Sequence, residues 1–232
     1  MELLTAVIFD MDGLMFDTEA LNMKAWAAAG AKHGFDITED VMHEYIGLHL
    51  DGTRQRMTER FGAGFDFDAV RGDRIAWSAA WIEEHGLPLK PGLRELLSWL
   101  IQHDIPRAMA TSSDQRVAGF YLSHTDVKGL FNVILTGDRI KHGKPAPDIF
   151  LTAAEALGAE PAGCVVLEDS YNGIRAAHAA GMMPVMVPDL LPPTPDILPL
   201  TYRVVKSLAD VPPLLEELLL PAGAACHSAP QG

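Results

Sequence analysis

Short apolar runs recur along this chain, each closed by a turn-forming or acidic residue. They fall at 3–9, Pro106–Ala110, Asn132–Leu135, Cys164–Leu167, Pro184–Val187 and Arg203–Val205. Runs this short, bounded by turns, predict buried strands of a parallel sheet covered on both faces. Between them lie stretches with helical spacing. Leu93–His103 puts Leu96, Leu97, Leu100 and Ile101 on one face; Asp114–Ser123, Pro147–Leu157, Asn172–Ala180 and Leu208–Leu219 follow. Strands alternating with helices at this interval predict an α/β fold, a doubly wound, mainly parallel sheet of Rossmann-like type.

One region breaks the alternation. From Thr18 to Gly86 no strand pattern appears, and four helical segments are predicted: 19–34, 38–46, 52–61 and 68–86. Gly34, Gly47, Gly62 and Gly86 are their natural stops. The expected domains are therefore 1–15 with 87–220 as the α/β core and 16–86 as an all-helical insert. Residues 221–232 are expected to be a disordered tail. An insert that leaves the chain just after the first strand is expected to serve as a lid, and Trp26, Trp77 and Trp81 are expected to form its core.

The 232 residues are 48% hydrophobic and 21% charged, an ordinary globular balance. The formal net charge of −13 repels phosphate backbones and anionic membranes, so neither nucleic acid nor membrane is expected as a partner. No apolar run is long enough to span a bilayer, and no signal-peptide pattern is seen. Two cysteines, Cys164 and Cys226, fit a reducing cytoplasm better than a disulfide. Monomer and small homo-oligomer both remain open.

Candidate chemistry gathers at the carboxyl ends of the predicted strands, where open parallel sheets bind their ligands. The clusters are Asp10 with Asp12; Thr111-Ser112-Ser113; Lys144, within Gly143-Lys144-Pro145-Ala146-Pro147; and Glu168-Asp169. Several carboxylates at one sheet end repel one another. A hard cation with oxygen ligands removes that cost, and Mg²⁺ is the usual one. Lys144 adds positive charge, and hydroxyls with backbone N–H groups at Thr111-Ser112 make a phosphate cradle. These are the parts of a phosphoryl-transfer site. One carboxylate can act as nucleophile and a second as acid and base.

Asp-Met-Asp-Gly-x-x-x-Asp-Thr-Glu, a Thr/Ser closing a strand, Gly-Lys-Pro-x-Pro and Glu-Asp-Ser-x-x-Gly occur here in this order. Together they resemble the haloacid dehalogenase (HAD) superfamily, in its helical-cap branch with β-phosphoglucomutase-like and phosphoglycolate-phosphatase-like members. The resemblance covers about residues 3–210. It implies that Asp10 is the nucleophile and that Asp12 protonates the leaving oxygen and then activates water. It also implies that Thr111, Ser112 and Lys144 hold the phosphate, and that Mg²⁺ is bound by Asp10, the Asp12 carbonyl, Asp169 and Glu168. An aspartate at position 12 points to phosphate rather than halide chemistry.

The expected reaction is Mg²⁺-dependent hydrolysis of a small phosphorylated metabolite such as a sugar phosphate. Two departures weigh against the sugar-phosphate mutase alternative. Leu50 stands where the mutases carry a phosphate-holding arginine, and Asn22 where they carry a histidine. A non-enzymatic metabolite-binding module is the other alternative; four retained charged residues argue against it. His49, Arg54 and Arg74 are the candidate substrate contacts from the insert. Simpler roles compete at several positions: turn residues at Asp10 and Asp12, a helix cap at Thr111-Ser112-Ser113 or Glu168-Asp169, and a solvated surface for Lys144.

Overall fold

The computed structural model describes residues 4–45 and 50–219, with the backbone alone at Leu50. The candidate His49 and the expected tail 221–232 lie outside the described residues. The chain divides into two compact units, Phe16–Pro88 and Met1–Met15 with Leu89–Gly232.

The larger unit is built on six strands: β1 (Ala6–Phe9), β2 (Arg107–Ala110), β3 (Val133–Leu135), β4 (Cys164–Glu168), β5 (Met183–Met186) and β6 (Arg203–Val204). They pair in the order β3-β2-β1-β4-β5-β6, every pair parallel. β1 is central, with Ile8 opposite Ala108 on one side and Val166 on the other. Ala6, Ile8, Ala108, Ala110, Cys164 and Val166 pack in one layer with α7 (Asp148–Leu157) and α8 (Tyr171–Ala179). The alternate residues Val7, Phe9, Met109, Val165 and Leu167 are equally buried, so the second face is covered too. α5 (Leu93–Gln102) buries Leu93, Leu96, Leu97 and Leu100 and packs on α9 (Val211–Leu219), whereas the predicted stripe member Ile101 is exposed.

The smaller unit holds α1 (Thr18–Lys32), α2 (Glu39–His43), α3 (Leu50–Phe61) and α4 (Phe67–His85). Its core joins Trp26, Ile37, Val41, Tyr45, Met57, Phe65, Phe67 and Val70. Thr38 caps α2 through its hydroxyl and Asp66 caps α4 through its carboxylate. Of the three tryptophans expected in this core, Trp26 alone is there. α4 buries Phe67, Val70, Ser78 and Ile82. Trp77 stands one residue off that stripe, about 100° round the helix, and is half-buried, as is Trp81, which stacks on His85 at 4.7 Å.

Candidate active site

The β1 strand ends where its sequence turns acidic. The Asp10 N–H donates to the Leu167 carbonyl at 3.0 Å, which ties the end of β1 to the end of β4. Asp10 therefore stands beside Glu168 and Asp169. On the other side, the Thr111 N–H donates to the Leu135 carbonyl at 3.1 Å at the ends of β2 and β3. Parallel pairing thus brings residues far apart in sequence to one sheet edge.

Lys144 is the hub. It sits in the loop before α7, its side chain only 5% exposed. Its ammonium bonds the Asp10 carboxylate, Glu168 Oε1 at 2.6 Å and the Ala110 carbonyl at 3.3 Å, and lies 4.9 Å from the Phe150 ring centre. The solvated-surface alternative for Lys144 is thereby overturned. Glu168 is fully buried and both its oxygens are engaged: Oε2 accepts from the Ser170 N–H and hydroxyl, each at 2.9 Å. Ser170 also caps α8, accepting from the Gly173 N–H at 3.1 Å. The cap here is Ser170, not Glu168 or Asp169. Gly173 has to be glycine for a spatial reason, since a Cβ there would overlap the Glu168 carboxylate.

Ligand oxygens of Asp10, Glu168 and Asp169 lie within 4.8 Å of one another. Three carboxylates around one point are a hard donor set and fit a divalent cation. The protonation balance agrees. Burial pushes the Asp10 carboxyl up to about 7, with Lys144 opposing the rise and Glu168 adding to it. Burial, then Glu168 and Asp10, raise Asp169 well above the usual carboxylate range. For Lys144 burial opposes the charge, but Asp10 and Glu168 outweigh it, and its pKa lies above the ordinary lysine value. A cation held by these oxygens would favour the ionised form of both aspartates.

The Asp12 carboxylate is held by Ser113: its Oδ2 accepts from the Ser113 hydroxyl at 2.8 Å. Thr111 is buried, and its Oγ1 accepts from the Ser113 N–H at 3.0 Å; Ser112 is exposed. The helix cap does not fall on any of these three. α6 (Gln115–Ser123) begins later and is capped by Asp114, whose side chain accepts from the Val117 N–H at 2.8 Å. Thr111-Ser112-Ser113 is thus left as a loop beside Asp12. Ser113 was visible in sequence only as part of a hydroxyl cluster, and its partner 101 residues away was not.

Within the smaller unit, Arg54 forms a two-pronged pair with Asp68 at 2.5 and 2.8 Å and lies over the Phe67 ring. Arg74 donates to Asn22 Oδ1 at 2.6 Å and lies over the Trp26 ring at 5.6 Å. Asp17 occupies the position before α1 without making a side-chain cap bond, and its N–H donates to the Pro88 carbonyl at 2.9 Å.

A doubly wound parallel sheet with charged side chains gathered at its carboxyl edge is a ligand-site architecture. Sequence comparison names the family: residues 4–181 match the family model of haloacid dehalogenase-like hydrolases. A Thermotoga maritima protein named phosphorylated carbohydrates phosphatase is 33% identical, over 91% of this chain and 90% of that one. An Escherichia coli fructose-1-phosphate phosphatase is 34% identical, over 76% and 92%. The solved β-phosphoglucomutase from Clostridium difficile superposes with a TM-score of 0.68 at 25% identity, over 93% and 97%. The chain belongs to the haloacid dehalogenase-like hydrolases.

Proposed function

We propose that this protein is a phosphoric monoester hydrolase acting on a small phosphorylated metabolite, a sugar phosphate or similar compound. The observation that carries the reading is the Lys144 hub, a buried lysine bonded to Asp10 and Glu168 with Asp169 alongside. Asp10 attacks phosphorus, the ester P–O bond breaks, and Asp12 gives its proton to the leaving oxygen. Water then attacks the phosphorus of the aspartyl-phosphate while Asp12 takes a proton from it, and the Asp10–phosphate bond breaks to release inorganic phosphate. Thr111, Ser112 and Lys144 hold the transferring group. Asp10, the Asp12 carbonyl, Glu168 and Asp169 would hold Mg²⁺, which offsets charge on the phosphoryl oxygens when bound.

Hydrolysis is favoured over mutase chemistry on two grounds. The curated relatives quoted are phosphatases by name. Asn22, at the position of the mutase histidine, is engaged by Arg74. In the same reading the helical unit 16–88 is a cap that selects substrate, and the protein works in a reducing cytoplasm. Among the described residues no helix is long and apolar enough to cross a membrane.

The test is phosphate release from a panel of sugar phosphates and related metabolites, with and without Mg²⁺. Asp10→Asn is expected to lose at least roughly 10⁴-fold in kcat. Unchanged turnover in that variant sinks the nucleophile assignment. No release from any compound favours the binding-module alternative, and a sugar-phosphate isomer appearing instead of free phosphate favours the mutase.

A further inference from the structure

Asp189 lies just past the end of β5, in a stretch whose sequence reads only as proline-rich loop. It is mostly buried, with a 13% exposed side chain, and its Oδ1 accepts from Lys90 Nζ at 2.6 Å. Its Oδ2 is buried with no hydrogen-bond partner among the described residues. A carboxylate oxygen left so is rare and needs an explanation.

Gly13 supplies the location. It has φ +76°, in the left-handed region, and a Cβ built on it would strike the Asp169 carboxylate and stand 3.4 Å from Asp189 Oδ2. The two carboxyl groups therefore flank one glycine; a Cβ there would overlap Asp169 and only touch Asp189. Lys90 is fixed in turn, its N–H donating to the Met15 carbonyl at 2.9 Å. Val187, two residues before Asp189, is fixed by its N–H to the Glu168 carbonyl at 2.8 Å. Asp189 is thus anchored on both sides beside the acidic cluster, with an acceptor oxygen to spare.

We infer that Asp189 is a positioning residue for the cation site, its Oδ2 accepting a hydrogen bond from water carried by the cation. Lys90 takes the other oxygen and so fixes which one faces the cluster. This rests on the proposed cation at Asp10, Glu168 and Asp169. Such outer partners orient the inner ligands, and their loss typically weakens metal binding by about 10- to 100-fold.

Asp189→Asn tests it without changing shape. Lys90 demands an oxygen, so the amide NH₂ falls where Oδ2 was and turns an acceptor into a donor. Mg²⁺ is titrated calorimetrically into the full-length wild type, Asp189→Asn and Asp169→Asn, and the Mg²⁺ half-saturation of phosphate release and the substrate KM are measured alongside. Asp189→Asn should weaken Mg²⁺ binding by about 10- to 100-fold, shift the half-saturation in step, and leave KM at saturating Mg²⁺ nearly unchanged. Equal Mg²⁺ affinity in Asp189→Asn and wild type, with Asp169→Asn impaired, overturns the inference whether or not thermal stability falls. If Asp169→Asn also binds Mg²⁺ normally, the proposed cation site itself is wrong.

Discussion

Lys144 is where removal of one side chain should be felt most. It is buried and bonded to Asp10 and Glu168, with Asp169 close by. Lys144→Met would leave those carboxylates without their counter-charge, which in buried pairs costs about 3–5 kcal/mol. Urea unfolding of the metal-free variant should show a loss of that order, with Mg²⁺ recovering part of it; an unchanged midpoint would show that the cluster reorganises around the change. Asp10 sets a pH dependence. Its folded pKa of about 7 lies above the ordinary 3.8. The metal-free folded protein therefore keeps a proton that the unfolded chain has already released. The stability so gained is full below about pH 4 and is lost as pH rises through about 7. Thermal melts in chelator should show this decline in wild type and a smaller one in Asp10→Asn, where Asp169 still carries a raised pKa. Mg²⁺, which displaces the same proton, should bind more tightly as pH approaches 7.

At the scale of elements, β4, its turn and α8 form one device. Glu168 ends the strand, Ser170 caps the helix and bonds Glu168, and Gly173 makes room for that carboxylate. Gly173→Ala ought to favour the helix by propensity, yet its Cβ would overlap Glu168 in a fully buried place. Overpacking of this kind costs about 1–3 kcal/mol. The variant should melt earlier and lose activity together, and a more stable variant would show that Glu168 moves freely. This device marks how far the sequence can be read. The alternation of apolar runs and helical stretches showed the six strands, and the placing of Asp10, Lys144 and Asp169 in the connections beyond strand ends pointed to the candidate site, because parallel pairing leaves one edge for chemistry. What stayed hidden depends on partners distant in sequence. Nothing near Ser113 points to Asp12, and nothing around Asp189 points to Lys90 or Gly13. Tryptophan spacing in α4 misled for the opposite reason: it is regular along the chain, but the buried stripe runs one residue away.

Across the whole molecule, the two units differ in how the chain makes them. Phe16–Pro88 is one continuous stretch with its own aromatic core, in which Phe35, Phe61 and Phe65 meet at 4.9 to 5.6 Å. A continuous segment with its own core is the usual unit of independent folding. The excised fragment 16–88 is expected to show a helical circular dichroism spectrum and a cooperative melt; a featureless melt would mean that its order depends on the rest of the chain.

The central strand has the opposite character. Ala6 pairs with Cys164, so β1 cannot acquire its second neighbour until the ribosome has added the whole stretch between them. At 5–20 residues per second that interval is roughly 10–30 s. Once out of the ribosomal tunnel and until Cys164–Glu168 is made, Ala6-Val7-Ile8-Phe9 is an apolar segment with an unpaired edge, adhesive to other chains. The residue proposed as nucleophile is made well before Lys144, Glu168 and Asp169, which surround it. Yield in a cell should accordingly depend on the pace of translation and on chaperones that bind short apolar segments, more than on the stability of the finished protein.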